Sequence, residues 1–462
     1  MKHIHFIGIG GSGLSAIARL MIESGYAVSG SDRLLSPLVL ELEALGAVVY
    51  SGHRAENIAG ADVIVRSSAV PDDNPEVLAG RAAGIPVLKR SDFLGQWMAN
   101  HTSIAIAGTH GKTTTTSMVA WMLTSLNLDP TYIIGGISHN LGNNAHAGKG
   151  KYFVIEADEY DRMFLGLTPQ IIILTSMDYD HPDCFPTLQD YRSAFESFVK
   201  LLPAGGLLFA CADDAGAASL LDKASQGITT LSYGLSEAAS YFANEIKAVE
   251  GLGMQFSAWY RPSGKQPRQL ANVTLQVPGE HNVRNALAAL ALAHQLGLPI
   301  EQAAQALASY SGSGRRFEQH PETGGVIVVD DYAHHPTEIR ATLAAARSLF
   351  PSRRIWAVWQ PHTYSRTQTL ATDFSKAFED ADRVIVTEIY AAREKNPGYS
   401  AAQVVAHMPT QVTRFIPSLR DATTYLNENL KPGDVLLVLS AGDADQISQQ
   451  VLAHLTERER YA

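Results

Sequence analysis

Residues 104–125 carry the most specific chemistry in this 462-residue chain. An apolar run, Ile104-Ala-Ile-Ala107, ends in Gly108-Thr109-His110-Gly111-Lys112-Thr113-Thr114, and a helical pattern follows from Thr115. Strand, glycine-bracketed loop and helix in that order build a polyphosphate site, because loop and helix-start N–H groups wrap phosphate oxygens. In such a loop Lys112 reaches the β- and γ-phosphates of a nucleotide and the Thr113 hydroxyl ligates Mg²⁺. The usual loop, G-x-x-x-x-G-K-[ST], has its first glycine where this chain has Ile106; the first glycine here is Gly108, so the loop is a shortened variant.

Further chemistry follows other apolar runs. Glu156-Ala-Asp158-Glu159-Tyr-Asp161 crowds carboxylates that repel unless a cation sits among them, the alternative being a solvated acidic loop. Asp178-Tyr-Asp180-His181 places an imidazole among carboxylates, which suits a second divalent cation. Both lie where a parallel sheet presents its binding edge, at strand carboxyl ends. In Pro278-Gly-Glu280-His281-Asn282-Val-Arg-Asn285 the imidazole can stack on a purine and the Asn285 amide can meet the adenine edge; alternatively His281 and Asn282 cap a helix. Gly312-Ser-Gly314-Arg315-Arg316 reads as a phosphate clamp at a hinge, or as a plain surface pair. Asp330-Asp331-Tyr332-Ala-His334-His335 and His362-Thr363-Tyr364-Ser365-Arg366 read as binding loops or as solvated polar loops. Arg366 offers the planar fork that a carboxylate needs.

Near the N-terminus, Gly8-Ile-Gly10-Gly11-Ser12-Gly13 fits G-x-G-x-x-G, and Asp32 follows about twenty residues on. NAD is the obvious ligand of such a turn. The same turn cradles any pyrophosphate, that of a UDP-sugar included.

These segments need an α/β frame. Strands are expected at 3–8, 27–30, 47–50 and 62–67, with helices at 12–23 and 38–45. A second set of strands (132–136, 153–158, 171–176, 207–211) surrounds the phosphate loop, followed by an antiparallel stretch over 240–277 and a helix over 282–296. A third set (325–331, 354–360, 383–388, 434–440) alternates with helices at 336–349, 365–378, 401–407 and 445–455. The net charge of −10 without a basic run argues against nucleic acid as a partner. Cys184 and Cys211, the only cysteines, suit a reducing compartment. With no signal-peptide pattern and no long apolar span, a cytoplasmic protein without membrane insertion is expected.

Taken together, the Gly8–Gly13, Ala107–Thr114, Glu156–Asp161, Gly279–Asn285, Gly314–Glu318, Asp330–Pro336 and Pro361–Thr367 segments resemble the Mur ligase family, over essentially the whole chain. The resemblance implies three α/β domains. These are a Rossmann-like UDP-substrate domain (1–97), a central P-loop ATPase-type parallel sheet with an antiparallel appendage (98–310), and a C-terminal Rossmann-like doubly wound domain for an amino acid (311–462). It turns the N-terminal glycines into a UDP site of Gly10, Gly11, Ser12, Gly13, Asp32, Ser67 and Ser68. It gives ATP the residues Gly108, Thr109, His110, Gly111, Lys112, Thr113, Thr114, His281, Asn285, Arg316 and Asp331. Mg²⁺ falls to Thr113, Glu159 and His181, and the catalytic groups are Lys112, Glu159 and His181. Tyr332, His334 and Arg366 form the amino-acid pocket. The likeness is strongest to the branch that joins L-alanine to UDP-N-acetylmuramate. The branch that returns a murein tripeptide to the same acceptor is the alternative, and it differs around Pro361–Thr367. Thr363 stands where some members carry Arg, which leaves fewer positive groups for a substrate carboxylate. A nicotinamide dehydrogenase would give Lys112 no role, and a nucleotide-gated binding module would release no phosphate.

Overall fold

Three sheets follow one another along the chain in the computed structural model, which describes residues 2–33, 37–249 and 253–461. Of Ser12, Pro37 and Tyr461 it describes the backbone alone.

The N-terminal sheet is parallel. Its order runs Val48–Ser51, Ala27–Asp32, His3–Ile7, Val63–Arg66, Val87–Lys89. His3–Ile7 lies between strands on opposite sides of the switch in strand order, so its carboxyl end opens the crevice where such sheets bind ligands. The glycine-rich turn begins there, and helix Ser12–Glu23 follows as expected. The second strand runs to Asp32, two residues beyond expectation, which makes Asp32 a strand end. Strand Val87–Lys89 and helix Arg90–Met98 carry no clear sequence period, and that helix crosses the break expected between residues 97 and 98.

The central sheet has ten strands. Thr102–Ala107 pairs in parallel with Tyr152–Glu156 on one side and Ile171–Leu174 on the other, with Ile104 opposite both Val154 and Ile171. These three strands are buried on both faces and therefore read as unbroken apolar runs. Their carboxyl ends deliver the phosphate loop, the acidic segment and the Asp178–His181 segment to one edge. Helix Lys112–Ser125 starts at Lys112 rather than Thr115 and packs beneath the Ala-rich helix Glu280–Gln295. The antiparallel stretch is present as Tyr241–Val249, Gly253–Tyr260 and Arg268–Leu275. Thr229–Gly234 joins it to the main sheet, so it extends that sheet. Residues 250–252 of that stretch lie outside the described residues.

The C-terminal sheet orders Glu318–Gln319, Ile327–Asp331, Asp434–Ser440, Arg354–Gln360, Arg383–Val386 and Thr413–Phe415, parallel except for the first. Helices cover both faces: Ile339 and Leu343 pack with Trp359 on one, Leu426 and Ile447 with Val438 on the other. The helix expected over 365–378 is broken at Leu370 into Tyr364–Thr369 and Ala371–Phe374. Helix Leu419–Asn429 and the short edge strands were not apparent in the sequence pattern. Among the described residues no helix is long and apolar enough to cross a membrane.

Candidate active site

The phosphate loop is shaped by close approach. A Cβ at Gly108, whose φ is +137°, would sit 2.2 Å from Thr175 Oγ1, so only glycine lets the loop pass the end of strand Ile171–Leu174. Gly111 has φ +79° and starts the helix with no side-chain cap, leaving first-turn N–H groups for an anion. The Thr109 hydroxyl donates to the Asp178 carbonyl at 2.7 Å, which makes it a loop anchor. Lys112 Nζ donates to Thr109 O at 3.1 Å and to Glu159 Oε1 at 3.0 Å. Burial works against the Lys112 charge, yet Glu159, Asp158 and Glu156 together hold its pKa above the ordinary value.

The acidic segment is therefore no solvated loop. Glu159 is fully buried, and burial raises its pKa against the pull of Lys112. Its Oε2 lies 2.9 Å from Lys112 Nζ but accepts no well-aligned hydrogen bond. His181 Nε2 stands 3.8 Å from Glu159 Oε1. Thr113, expected at Mg²⁺ beside Glu159, has a second carboxylate as its own partner. The Thr113 hydroxyl donates to Glu156 Oε1 at 3.0 Å, because Glu156 ends the neighbouring strand while Glu159 reaches across to Lys112. The buried Glu159 carboxylate and the Thr113 hydroxyl are hard oxygen donors of the kind Mg²⁺ takes, and the His181 imidazole stands beside them.

Beside the loop a cavity of about 300 Å³ is lined by Gly111, Thr114, His281, Asn285, Arg316 and Asp331, all expected at the nucleotide. Helix Glu280–Gln295 has Gly279 at its N-cap and no side-chain cap, so His281 and Asn282 do not serve as caps. Burial holds the His281 pKa down to about 4, leaving a neutral ring. The Asn285 amide lies so near Gly111 that a Cβ there would be 2.8 Å from its Oδ1. Arg316 Nη2 reaches the Thr113 hydroxyl at 3.4 Å. Asp331 accepts N–H groups of Phe317 at 2.9 Å and Ala333 at 2.7 Å, so it also orders the hinge; burial raises its pKa to about 6.

A larger cleft of about 790 Å³ joins all three sheets. Gly13, Lys112, His181, Tyr332, His334 and Arg366 line it together, and Gly111, Thr113, Arg316 and Glu338 also line the nucleotide cavity. Neighbouring acids of the Asp178–Asp183 segment clasp the C-terminal region. Asp178 accepts from the Thr337 hydroxyl at 2.7 Å, and Asp180 takes Nε and Nη2 of Arg366 at 2.7 and 3.1 Å. The Arg366 fork, expected to be open, is thus spent on a buried partner. His110 sits between Asp178 at 3.1 Å and Glu338 at 3.2 Å. His334 donates Nδ1–H to the Tyr332 carbonyl at 2.9 Å, and burial lowers its pKa to about 3, so Nε2 keeps its lone pair.

At the N-terminal turn Gly10 N donates to Asp32 Oδ2 at 2.8 Å, so Asp32 shapes the turn. A Cβ at Gly8 would lie 3.2 Å from Ser67 Cβ, which places Ser67 against the turn; Ser68 lines a neighbouring recess. The Ser12 side chain lies outside the described residues. Arg90, missed in the sequence, lies over Gly13: a Cβ there would be 1.6 Å from its Nη1. Glu338 and Arg393 were missed as well. Only their place in the fold brings them to the cleft, and neither stands in a glycine-flanked or imidazole-bearing motif.

Three α/β sheets, the central one ending in a phosphate loop and all three meeting at one cleft, are the frame of a nucleotide-dependent multidomain enzyme. The chain belongs to the Mur ligase family. The family's models match consecutively, as "Mur ligase family, catalytic domain" over residues 3–102, "Mur ligase middle domain" over 106–293 and "Mur ligase, glutamate ligase domain" over 315–442. It is similar to the UDP-N-acetylmuramate–L-alanine ligases of Geobacter sp. strain M21, 43% identical over 98% of both chains, and of Acidithiobacillus ferrooxidans, 45% identical over 97% of both. The solved UDP-N-acetylmuramate-alanine ligase of Thermotoga maritima matches with a TM-score of 0.80 at 30% identity and full coverage of both chains. A murein peptide ligase from Psychrobacter arcticus matches with a TM-score of 0.71 at 26% identity over 99% of both chains.

Proposed function

We propose that this chain joins L-alanine to the lactyl carboxylate of UDP-N-acetylmuramate at the expense of ATP, releasing ADP and phosphate in the cytoplasm. The observation that carries this is one cleft lined by Gly13, Lys112, His181, Tyr332 and Arg366, residues contributed by all three domains. The similarity to alanine-adding ligases at 41–45% identity favours this reading over the tripeptide-recycling one.

The chemistry requires such an arrangement. A carboxylate is a poor acyl donor because its leaving group would be oxide. Transfer of the γ-phosphoryl group of ATP to the lactyl carboxylate gives an acyl phosphate; the amine attacks its carbonyl carbon and phosphate leaves. Lys112 stabilises charge on the transferring group, and Arg316 reaches it from the hinge. Thr113, Glu159 and His181 would hold Mg²⁺, which when bound offsets the anionic charge of the phosphates. Gly10–Gly13, Asp32, Ser67 and Ser68 hold the UDP end. Tyr332, His334 and Arg366 wall the amino-acid end. Closure of the three domains over the expected spans keeps water from the acyl phosphate.

The test is phosphate release with ATP, UDP-N-acetylmuramate and a panel of amino acids and murein tripeptide. Release with L-alanine above the rest is the expected result. Preference for the tripeptide, or no release with any acceptor, overturns the reading.

A further inference from the structure

We propose that Arg393, rather than Arg366, is the cation that takes the α-carboxylate of the incoming amino acid. The inference rests on the proposed ligase reading and names a residue within it. A lone α-carboxylate in a cleft needs a guanidinium with donors to spare.

Two loops at neighbouring strand ends of the C-terminal sheet are clipped into one unit. Tyr390 N donates to Pro361 O at 2.8 Å, Thr363 N donates to Tyr390 O at 2.9 Å, and Ser365 N donates to Glu394 Oε2 at 2.9 Å. That unit brings two guanidiniums to the cleft, Arg366 and Arg393. Arg366 is buried and its fork is engaged: Nε and Nη2 lie on Asp180, and Nη1 lies 3.1 Å from His362 Nδ1. Arg393 is the opposite. Its side chain is 54% exposed, and Nη2 donates to Asp183 at 2.8 Å. Thr363, in the same unit, brings no charge. The other guanidiniums of the cleft serve elsewhere: Arg90 at Gly13, Arg316 beside Thr113, and Arg315 on the carbonyls of Ser440 and Gly442.

Arg393 is also placed and able to exchange. Its guanidinium lies 4.2 Å from the Tyr160 ring centroid, and that ring lies 5.1 Å from the ring of His181. In an α-amino acid one carbon separates carboxylate from amine, so the cation that fixes the carboxylate must stand near the reacting end. Asp183 also accepts from the Tyr160 hydroxyl at 3.1 Å, so it keeps a donor when Arg393 turns to substrate.

The test compares L-alanine with L-alaninamide, which keeps the amine and lacks the carboxylate charge. Arg393→Gln is expected to raise the alanine KM by at least about tenfold, with the KM values of ATP and UDP-N-acetylmuramate within about twofold of wild type. Its kcat/KM for alaninamide is expected to match wild type, and Arg393→Lys to recover part of the alanine KM. An alanine KM unchanged in Arg393→Gln, or alanine and alaninamide lost in parallel, overturns the proposal. If wild type prefers another amino acid, the alanine reading falls by itself. The same comparison with that amino acid and its amide still decides Arg393.

Discussion

Asp180 and Arg366, 186 residues apart, form a fork pair at 2.7 and 3.1 Å with both side chains no more than 5% exposed. Burial opposes the Asp180 charge, but Arg366 holds its pKa well below the usual carboxylate range. The pair ties the segment after strand Ile171–Leu174 to the C-terminal sheet, and so acts as a closure element of the cleft. Removing one partner of such a pair leaves a buried uncompensated charge, which costs about 3–5 kcal/mol. Asp180→Asn is therefore expected to lower the urea midpoint, and Asp180→Leu with Arg366→Met to recover part of the loss. A wild-type midpoint in Asp180→Asn would show that the pair holds nothing together.

Lys112 works against a different background. Its Nζ is held by loop carbonyls and Glu159, in the central domain and not at the glycine-rich turn that opens the N-terminal one. Lys112→Ala is expected to lower kcat by at least about 10²-fold while calorimetry still records UDP-N-acetylmuramate binding. Loss of that binding in a folded variant would mean that the UDP substrate is not held at the N-terminal turn.

How much of this was legible follows from what each feature depends on. The phosphate loop, Gly8–Gly13 and the helix Ser12–Glu23 were legible because glycine positions and apolar period are local. The strands Leu207–Cys211, Arg354–Gln360 and Asp434–Ser440 were legible to the residue, because strands buried on both faces read as apolar runs. Partnerships were not legible. Which of Glu156 and Glu159 meets Thr113 depends on the register of Tyr152–Glu156 against Thr102–Ala107. That Arg366 is spent on Asp180 depends on how two sheets dock.

The Glu156–Thr113 contact has a measurable consequence for Mg²⁺. Glu159 brings the buried oxygen without a hydrogen-bond donor, whereas Glu156 orients the hydroxyl and also accepts from Gly135 N at 2.6 Å. Glu159→Gln is expected to end activity or raise the Mg²⁺ required by more than Glu156→Gln does. An orienting partner typically contributes about 10–100-fold in metal affinity. Titration of rate against Mg²⁺ separates them, and equal, unshifted dependences in both variants would remove both carboxylates from the metal site.

His110 gives the junction of the central and C-terminal sheets a pH dependence with a definite sign. One ring nitrogen faces Glu338 Oε1 at 3.2 Å and the other faces Asp178 Oδ2 at 3.1 Å, so the protonated ring serves both. Burial opposes that charge, but the two carboxylates raise the pKa from 6.5 to about 9. A raised value means that the folded state binds the proton more tightly than the unfolded chain. The stabilisation is therefore complete below pH 6.5 and is lost as pH climbs to about 9. At ~1.4 kcal/mol per unit the upper bound is about 3 kcal/mol, and screening at Asp178, which is 41% exposed, brings it lower. His335 packs its ring 4.7 Å from that of His110, but burial and the His110 charge hold its pKa at about 4, so it titrates below this window. Urea unfolding at pH 6 and at pH 9.5 is expected to show wild type losing stability with rising pH. His110→Gln should start less stable at pH 6 and change little. Parallel losses in the two proteins would mean that another group carries the pH dependence.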